Sequence, residues 1–360
     1  MSLKIDKKII EAAVLGGAIL GGGGGGWIEE GRKLAQVAVE KGFSDILSIE
    51  DLPESAVLLT VSGVGAPSAG SDVLEPIDYV RAVELFMEKT GMKIDGLISS
   101  EIGALGVVNG WIQSAALNIP VIDAPCNGRA HPLGLMGSMG LNNKEDYVSL
   151  QTAVGGKAEK KNRVEELFKG TLANVSKSVR EASVRAGGMV AVARNPVPAH
   201  YVKENGAPGA IQMAVILGKI LLKNRQADLK KSLKEIYDFL GVDFIIKGKA
   251  EEVAVKTEGG LDIGTIQVRT PKRLYELTFW NEYMTFTTED TRIATFPDLM
   301  MTFDSRTLTP LISAQIEGGL EVIVVAVPAQ QLILGAGMRD DELMKQVEKA
   351  IGKEIVRFRK

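Results

Sequence analysis

The sequence predicts an α/β fold, in which a three-layer α/β/α domain is followed by a second, mostly antiparallel β domain. Up to about residue 235, short β-branched runs alternate with segments of helical period, which is typical of a parallel sheet with helices on its faces. From about residue 240, short strands follow turn signals such as Glu258-Gly259-Gly260. We therefore expect an α/β domain over residues 1–235 and a β-rich domain with a C-terminal helix over residues 236–360.

Six consecutive glycines, residues 21–26, join two predicted helices, "KKIIEAAVLGGAIL" and "IEEGRKLAQVAVEKG". A dinucleotide-binding fingerprint requires a strand before its glycines, and none is predicted here. Glu29 and Glu30 lie in the first turn of the second helix, where they would repel a phosphate. Because glycine loses the most backbone freedom on folding, an ordered run implies close backbone approach. We expect it to approach a neutral or cationic substrate or another chain segment. The alternative is a disordered surface loop.

The remaining elements follow the same two patterns. Strands are expected in "AVLLTVSGVG" (56–65), "DGLISSE" (95–101), "VIDAP" (121–125), "YVSLQTAV" (147–154), "GGMVAVARNPV" (187–197) and "EVIVVAVPA" (321–329). Helices are expected from Pro76, over 104–118, over about 161–185, in "GAIQMAVILGKILLKN" (209–224) and in "DDELMKQVEKAI" (340–351).

Composition narrows the class of partner. The 360 residues carry 42 Lys and Arg against 45 Asp and Glu, a net charge of -3, with no basic stripe. This balance disfavours a nucleic acid or an anionic membrane as partner. One cysteine fits a reducing compartment, and no apolar run reaches the length of a membrane span. We expect a cytoplasmic protein that acts on a small molecule.

Candidate catalytic residues follow two predicted strands. Glu101 ends "DGLISSE", and Asp123 lies within "VIDAP", ahead of the loop "CNGRAHP" that contains Arg129. In open α/β sheets, ligands bind beyond the carboxyl ends of the strands, so these side chains are expected to converge. Each has a structural alternative. Asp123 or Glu101 could cap the turn or helix that follows it, and Arg129 could simply pair with a carboxylate.

Other polar residues are weaker candidates. Cys126 and His131 could form a nucleophilic dyad, although an isolated cysteine is more often a small core residue. A zinc site there is poorly supported, because His131, Cys126 and Asp123 lack any recognised ligand spacing. In the β domain, Asn281 and Glu282 are adjacent in an apolar strand, so one of them is expected to point inward and to need a partner. Asp298 follows a proline and could equally be a turn residue.

Several segments together resemble the S-methyl-thiohydantoin desulfurase-like family, which is associated with hydantoin utilisation. The segments follow the order of the family and span nearly the whole chain: "LGGGGGG", "SSEIGALGVVNG", "PVIDAPCNGRAHP", "GGLDIGTIQV", "FWNEYM", "FPDLM" and "VIVVAVPA". The resemblance implies a three-layer α/β domain with a β-rich domain. It further implies an enzyme that acts on a five-membered cyclic ureide or its S-methylated thio analogue and releases methanethiol.

The resemblance also assigns residues. The matching positions are the glycine run, Glu101, Asn109, Asp123, Gly128, Arg129, Asn281, Glu282 and Asp298. Two positions depart from the family's loop, because Pro125 replaces a second aspartate and Leu133 replaces an acidic residue. If those acids assist catalysis or bind a metal, this member has another substrate or has lost activity. Cys126 and His131 lie outside the family pattern.

We therefore hypothesise that Glu101 or Asp123 is a general base for water and that Arg129 orients the substrate or stabilises negative charge. The expected binding residues are Gly22, Gly23, Gly24, Gly25, Asn109, Asn127, Gly128, His131, Asn281, Glu282 and Asp298. No cofactor is expected, and a divalent metal stays open. A homo-oligomer and a hydantoinase-type partner protein are expected. The alternative function is a non-catalytic, small-molecule-binding subunit of a hydantoinase.

Overall fold

A computed structural model describes residues 2–65, 74–224, 229–258, 261–289 and 291–359 of the chain. The turn predicted at Gly259 and Gly260 lies outside the described residues. The first sheet consists of β1 (Leu3–Lys4), β2 (Asp45–Leu47), β3 (Val57–Gly65), β4 (Gly96–Ser99), β5 (Val121–Ile122), β6 (Ser149–Gly155), β7 (Val164–Gly170) and β8 (Met189–Pro198). The helices of the same part are α1 (Lys7–Leu20), α2 (Ile28–Glu40), α3 (Pro76–Thr90), α4 (Trp111–Leu117), α5 (Leu172–Arg185), α6 (Ala199–Asn205), α7 (Ala210–Asn224) and α8 (Leu229–Leu240).

This first sheet is mixed, with strand order β1-β2-β5-β4-β3-β8-β6-β7. Strands β2, β5, β4 and β3 run parallel, as the alternation of strands and helices predicts. The other pairs are antiparallel. The sheet is therefore parallel at its centre and antiparallel towards both edges.

Helices cover both faces of the mixed sheet, because successive strand residues point to opposite sides. Leu59 and Val61 pack with α1 and α3 on one face. Leu58 packs with α6 on the other face, where Val190 and Val192 pack with α5. The fold is thus the α/β/α arrangement that the sequence predicts.

Two predicted helices are wrong in part. The helix expected over 161–185 begins only at Leu172, since Val164–Gly170 is the edge strand β7. Glu and Leu favour a helix, but β7 pairs with β6 along its length and leaves charged side chains at the sheet edge. The helix expected over 104–118 is a 3-10 turn at Gly106–Val108 followed by α4. Gly110 separates them with φ 97°, a conformation that favours glycine.

The second sheet is antiparallel, as expected, with order β13-β12-β11-β10-β9-β16-β14-β15. Its strands are β9 (Phe244–Glu258), β10 (Leu261–Arg269), β11 (Leu274–Trp280), β12 (Glu282–Thr288), β13 (Thr291–Thr295), β14 (Leu299–Asp304), β15 (Pro310–Leu311) and β16 (Glu321–Val327). The sheet curls, so that β12 lies against β14 although the two are not neighbours in the order. The expected C-terminal helix, α9 (Asp341–Ile351), packs on β11.

Helices α1 and α7 connect the two sheets. Gly16 of α1 lies so close to α7 that a Cβ atom there would stand 1.7 Å from the carbonyl oxygen of Ala214. Leu299 and Met301 of β14 join the hydrophobic cluster that contains α1, α7 and the mixed sheet. The antiparallel sheet is thereby fixed over the C-terminal end of α1, where the glycine run begins.

One further property of the helices concerns membranes. No single helix of the described ranges is long and apolar enough to cross a membrane. One pair of helices, Ala199–Asn205 and Ala210–Lys223, bent by 53°, reaches the required length and apolar composition only when the two are counted together.

Candidate active site

A cleft of about 1100 Å³, counted to its open mouth, lies between the two sheets. Its walls come from the glycine run, the segments that follow β4 and β5, strand β8, helix α5, and the β11–β12 turn. The carboxyl ends of parallel strands thus form one side, as expected for an α/β sheet. The antiparallel sheet forms the other side.

The glycine run is hydrogen-bonded to both halves of the molecule. The carbonyl of Gly22 accepts from the N–H of Tyr283 at 2.8 Å, and that of Gly23 accepts from Ser313 at 2.7 Å. On the other side, the carbonyl of Gly25 accepts from the N–H of Leu105 at 3.0 Å. The loop is therefore ordered, as expected. Residues 23–26 line the cleft, whereas Gly22 does not.

At two positions of the glycine run, Gly24 and Gly25, neighbouring atoms leave no space for a side chain. A Cβ atom on Gly24 would stand 2.0 Å from the Oε1 atom of Glu282. A Cβ atom on Gly25 would stand 2.5 Å from Cα of Gly103, and its φ of 78° disfavours other residues as well. The run allows the backbone to approach a carboxyl group on one side and another backbone segment on the other.

Glu101 is the strand-end carboxylate that the structure does place in the cleft, with its side chain 21% exposed. Its Oε2 atom accepts the backbone N–H of His131 at 3.2 Å. Burial raises the pKa of Glu101 to about 7, against the opposing effects of that N–H and of the Arg194 and Arg129 charges. A carboxyl with this pKa can take and return a proton near neutral pH.

His131 lies beside Glu101, with Nε2 3.6 Å from Oε2 of the carboxyl. Burial, reinforced by the positive charge of Arg194, lowers the pKa of the imidazole to about 4. The carbonyls of Ser100 and Leu133 oppose this shift without outweighing it. His131 is consequently neutral at pH 7 and does not form an ion pair with Glu101.

Glu282 faces Glu101 from the antiparallel sheet and is 3% exposed. Burial, together with the charge of Glu101, raises its pKa well above the ordinary value. Its Oε2 atom has no hydrogen-bond partner among the described residues. A raised pKa favours the protonated form of this buried carboxyl, in which it can donate a hydrogen bond to a ligand.

Asn281 and Asn109 also line the cleft. Asn281 takes φ 54° at the β11–β12 turn, and its side-chain oxygen accepts the N–H of Asp262 at 2.9 Å. This turn directs Glu282 toward the glycine run. Asn109 is buried, and its Oδ1 atom has no partner in the described part of the chain. Asn109 and Asn281, two of the three asparagines expected to bind the substrate, therefore reach the cleft.

Asp123 does not reach the cleft, so its expected convergence with Glu101 is corrected. Its two carboxylate oxygens accept the N–H groups of Ile211 at 2.7 Å and Gln212 at 3.1 Å. These N–H groups belong to the first turn of α7, which has no intrahelical partners for them. Burial raises the pKa of Asp123 to about 6 against these two bonds. The residue is a helix cap, the structural alternative considered above, but for a distant helix.

Arg129 is fully buried but points to the antiparallel sheet rather than to Asp123 and Glu101. Its Nη1 atom donates to the carbonyls of Pro297 at 2.9 Å and Asp298 at 2.5 Å. The guanidinium stacks over Phe296 at 4.7 Å from the ring centroid. Burial lowers its pKa to about 10, so the charge is retained at pH 7. Arg129 does not line the cleft.

Three further candidates lie beside Arg129 and also outside the cleft lining. The Asn127 side chain donates to the carbonyl of Arg129 and accepts from the N–H of Gly335. Gly128 is needed for space rather than for a special φ, because a Cβ atom would stand 2.0 Å from the carbonyl of Ile333. The Asp298 carboxylate accepts N–H groups of residues 295 and 329. Asn127 and Gly128 thus hold the loop after β5 against Gly335 and Ile333, and the Asp298 carboxylate joins the end of β13 to the segment after β16.

Cys126 does not form a dyad with His131. Its Sγ atom lies 3.2 Å from Oγ1 of Thr60, and burial raises its pKa to about 11. The thiol is buried and lies outside the cleft lining. Within the ranges that the structure describes, no group of three or more His, Cys, Asp or Glu side chains could hold a metal ion.

Arg194 is a cleft residue that sequence reasoning missed. It lies on β8 and is 4% exposed, and it lines the cleft next to Glu101 and His131. A bulge explains its direction: Leu58 pairs with Val197, but Thr60 pairs with Arg194. The extra residue shifts the register, so that positions 194 and 197 point to the same face. A signal was present, because a lone arginine in the apolar run "MVAVARNPV" needs an unusual environment.

Comparison with known families decides the relationship. The model of the S-Me-THD-like, N-terminal domain matches residues 8–158, and that of the S-Me-THD-like, C-terminal domain matches residues 169–337. The chain belongs to the S-Me-THD-like family. This confirms the resemblance carried by the sequence motifs. The first match ends at residue 158 and the second begins at residue 169, whereas the domain boundary near residue 235 stays a prediction.

A solved structure has the same fold as this S-Me-THD-like chain. It is the X-ray crystal structure of a protein from Chromobacterium violaceum, determined by the Northeast Structural Genomics Consortium. The two are 18% identical and superpose with a TM-score of 0.74 over 97% of this chain and 96% of that one. At this identity the likeness establishes the fold alone. No curated protein matches the chain significantly.

The two positions that depart from the S-Me-THD-like family pattern lie outside the cleft lining. The carbonyl of Pro125 accepts the N–H of Ala207 at 2.8 Å. The Leu133 side chain packs with the apolar cluster around α9. In this chain both positions serve packing of the loop that carries His131.

Proposed function

We propose that this S-Me-THD-like protein is a hydrolase of a hydantoin-type cyclic ureide, and that its reaction releases methanethiol from an S-methyl-thiohydantoin. One observation carries the proposal: the Glu101 carboxyl, with its pKa raised to about 7, lies in the cleft beside a neutral His131. A general base with a pKa near the working pH activates water most effectively. Family membership supports the substrate class.

In the proposed reaction, Glu101 takes a proton from water while the water oxygen bonds to the ring carbon that carries sulfur. Glu282, whose pKa is raised by burial, enters the proposed reaction protonated and donates its proton to the adjacent ring nitrogen. The carbon–sulfur bond then breaks, and methanethiolate receives the proton from Glu101. The new hydroxyl group becomes the carbonyl of hydantoin, and its proton returns to Glu282. One water is consumed, and one hydantoin and one methanethiol leave.

Other cleft residues have supporting roles in this proposal. The Asn109 and Asn281 side chains orient the ring, since amides can both donate to and accept from a ureide. Gly24 and Gly25 let the ring lie close to the backbone and to Glu282. A neutral ring suits the loop because Glu30, which also lines the cleft, disfavours a phosphate there.

The alternative is a non-catalytic, small-molecule-binding subunit or partner of a hydantoinase. One observation favours it: Asp123, the second carboxylate expected in the cleft, is a helix cap. The hydantoinase-type partner, the homo-oligomer and the cytoplasmic location stay predictions of the sequence.

The test combines turnover with binding. Purified protein is incubated with S-methyl-thiohydantoin and with hydantoin while a thiol-reactive chromophore reports methanethiol and thermal unfolding reports binding. Release of thiol by the wild type, but not by Glu101→Gln, supports the enzyme. Stabilisation by both compounds without release favours the binding subunit. If neither compound stabilises the protein and no thiol is released, the proposed function is overturned.

A further inference from the structure

Strand β7 is a long, regular edge of the mixed sheet. It pairs with β6 over its full length without a register shift, and no other described strand lies beyond it. Of the other three edge strands, β1 and β15 have two residues each, and β13 pairs with β12 through a register shift. Unpaired backbone groups along a regular edge can pair with a strand of another molecule. Among the described strands, β7 is therefore the edge best suited to a partner strand.

The side chains of β7 alternate between two faces of the sheet. Glu165 points toward α3, where the Nε atom of Arg81 donates to its carboxylate at 3.1 Å. Glu166 points to the other face, toward α5, where it pairs with Arg185 at 2.6 Å. Lys169 shares the face of Glu165 and is exposed, without an ion-pair partner among the described residues. The α3 face of the strand thus carries a carboxylate near one end and an unpaired ammonium group near the other.

This spacing makes β7 complementary to a second copy of itself. An antiparallel pair centred on Leu167 uses the full strand and places Glu165 opposite the partner subunit's Lys169 on each side of the two-fold axis. Opposite residues have Cβ atoms about 5 Å apart, so these charges can pair. Centring the pair on Glu166 would oppose two carboxylates, and centring it on Phe168 would separate Glu165 from the ammonium group. The register that uses the whole strand is also the one that matches charge.

Exposed apolar side chains flank the strand on both faces. Ile77 of α3 is 60% exposed and lines a surface groove together with Glu165. Val184 of α5 is also 60% exposed, and it directly precedes Arg185, the partner of Glu166. A strand edge alone is small against the area of about 800 Å² per partner that a stable dimer buries, so the flanking helices must contribute. These two residues supply apolar surface where a second copy would cover it.

We propose that the chain forms a two-fold symmetric dimer through β7, in which the eight-stranded mixed sheets of two copies become continuous. The occupant of the edge is a second copy of this chain, because the charge pattern of β7 matches its own reverse. In the dimer, Lys169 joins a carboxylate that Arg81 and Arg163 already hold in the other subunit. The inference does not depend on the proposed reaction, since β7 contributes no residue to the cleft lining.

Sedimentation velocity tests the interface through charge reversal. The wild type is expected to sediment as a dimer at about 50 μM. Lys169→Glu places carboxylates opposite each other, and Glu165→Lys places ammonium groups opposite each other, so each should raise the dimer Kd at least about tenfold. Lys345→Glu on α9, with its side chain 57% exposed, is the control and should dimerise like the wild type.

A mixture of the two variants separates the proposed pairing from a general effect of charge. Equimolar Lys169→Glu and Glu165→Lys restore both ion pairs, so the mixture should sediment as a dimer although neither variant does so alone. A mixture that stays monomeric, while both variants keep the wild-type Tm, overturns the inference. A wild type that is monomeric at about 100 μM, or a dimer Kd that Lys169→Glu changes less than about twofold, overturns it as well.

A second pair of variants covers the case in which Glu165→Lys fails to fold after losing its contact with Arg81. Leu167→Arg and Leu167→Glu each place like charges together at the two-fold axis, and their mixture places opposite charges there. Each alone should be monomeric, and the mixture should dimerise. Dimers of either variant alone would contradict the register centred on Leu167.

Discussion

The Nε2 atom of His131 lies 3.6 Å from the Oε2 atom of Glu101, and the backbone N–H of His131 donates to that same oxygen at 3.2 Å. The backbone supplies the hydrogen bond, and the ring supplies no charge, since burial lowers the pKa of the imidazole to about 4. Glu101 is therefore positioned by His131 without being neutralised by it. This arrangement keeps the carboxyl basic enough to act near pH 7.

The first prediction concerns the proton acceptor. Glu101→Gln preserves the size of the side chain and removes its basicity, so we expect kcat for methanethiol release to fall about 100-fold or more. The Tm should not decrease, because a buried ionisable group is replaced by a neutral one. Glu181→Gln on the exposed side of α5 is the matched control, with its side chain 64% exposed. A Glu101→Gln enzyme with more than half the wild-type rate would contradict the assignment.

The second prediction is a pH profile. Because the general base must be deprotonated, kcat/KM should rise with pH and level off above about 7, the pKa of Glu101. His131, with its pKa lowered to about 4, adds no second limb above pH 5. Initial rates of thiol release between pH 5 and 9 measure the profile. If the residual kcat/KM of Glu101→Gln still rises with pH over this range, the rise does not come from deprotonation of Glu101.

The same two shifts predict how stability depends on pH. The pKa of Glu101 rises from 4.5 to about 7 on folding, so its contribution to the free energy of unfolding is lost as pH rises through that window. The pKa of His131 falls from 6.5 to about 4, so its contribution is lost as pH falls through that window. Urea unfolding at several pH values should show the first loss disappear in Glu101→Gln and the second in His131→Asn.

The third prediction tests the glycine run. Gly24→Ala keeps an allowed backbone but places a methyl group 2.0 Å from Oε1 of Glu282. Glu282 must then move, so we expect hydantoin affinity to fall about tenfold, with a loss of about 1–3 kcal/mol in unfolding free energy. Gly318→Ala, whose Cβ atom would meet its nearest neighbour at 3.1 Å, is the control for calorimetry. If Gly24→Ala left the affinity for hydantoin unchanged, the glycine run would not be part of the binding site. Gly23→Val is less informative, because the φ of 93° and the buried Tyr283 ring would lower the stability of the fold as well.

The fourth prediction revises the expectation for Arg129. Arg129→Lys keeps the charge but cannot reproduce the bonds to two carbonyls and the stacking on Phe296. We expect a loss of about 2–4 kcal/mol in unfolding free energy. Arg185→Lys should change it by less than about 0.5 kcal/mol. Denaturant titration checks both. Loss of ligand binding at full stability would instead place Arg129 in the cleft.

The fifth prediction separates the cap from the catalyst. Asp123→Ala leaves the first N–H groups of α7 without acceptors, so we expect a loss of about 1–2 kcal/mol in unfolding free energy. The rate of thiol release per folded molecule should stay within about twofold of wild type, since catalysis does not use this carboxylate. A rate loss as large as that of Glu101→Gln, at unchanged Tm, would return Asp123 to the mechanism.

The sequence was sufficient for the parts of the fold that depend on local patterns. Strand–helix alternation predicted the α/β part, and its loss after residue 240 predicted the antiparallel sheet. It failed at Val164–Gly170, where pairing with a distant strand decides the structure of a charged segment. The rule for strand ends located Glu101, because a strand terminus fixes where its next residue lies.

The hydrogen-bond partners of the side chains were harder to predict from the sequence, because they belong to distant segments. Asp123 is a cap only because α7, 88 residues later, begins beside it. Arg129 meets carbonyl groups 168 and 169 residues away. Arg194 reaches the cleft through a bulge, which shifts the face of a strand by one residue and leaves little mark on the hydrophobic pattern.

The hydrogen bonds of the glycine run have a consequence for the order of folding. The run binds Leu105 on one side and Tyr283 and Ser313 on the other, and those positions are up to 290 residues away in sequence. Closing so long a loop is entropically unfavourable until the segments on both sides have folded. Six glycines contribute no side chains that could nucleate structure earlier. We therefore expect the cleft to be completed last, so that a nascent or partly refolded chain holds most of its secondary structure while it is still unable to bind its ligand.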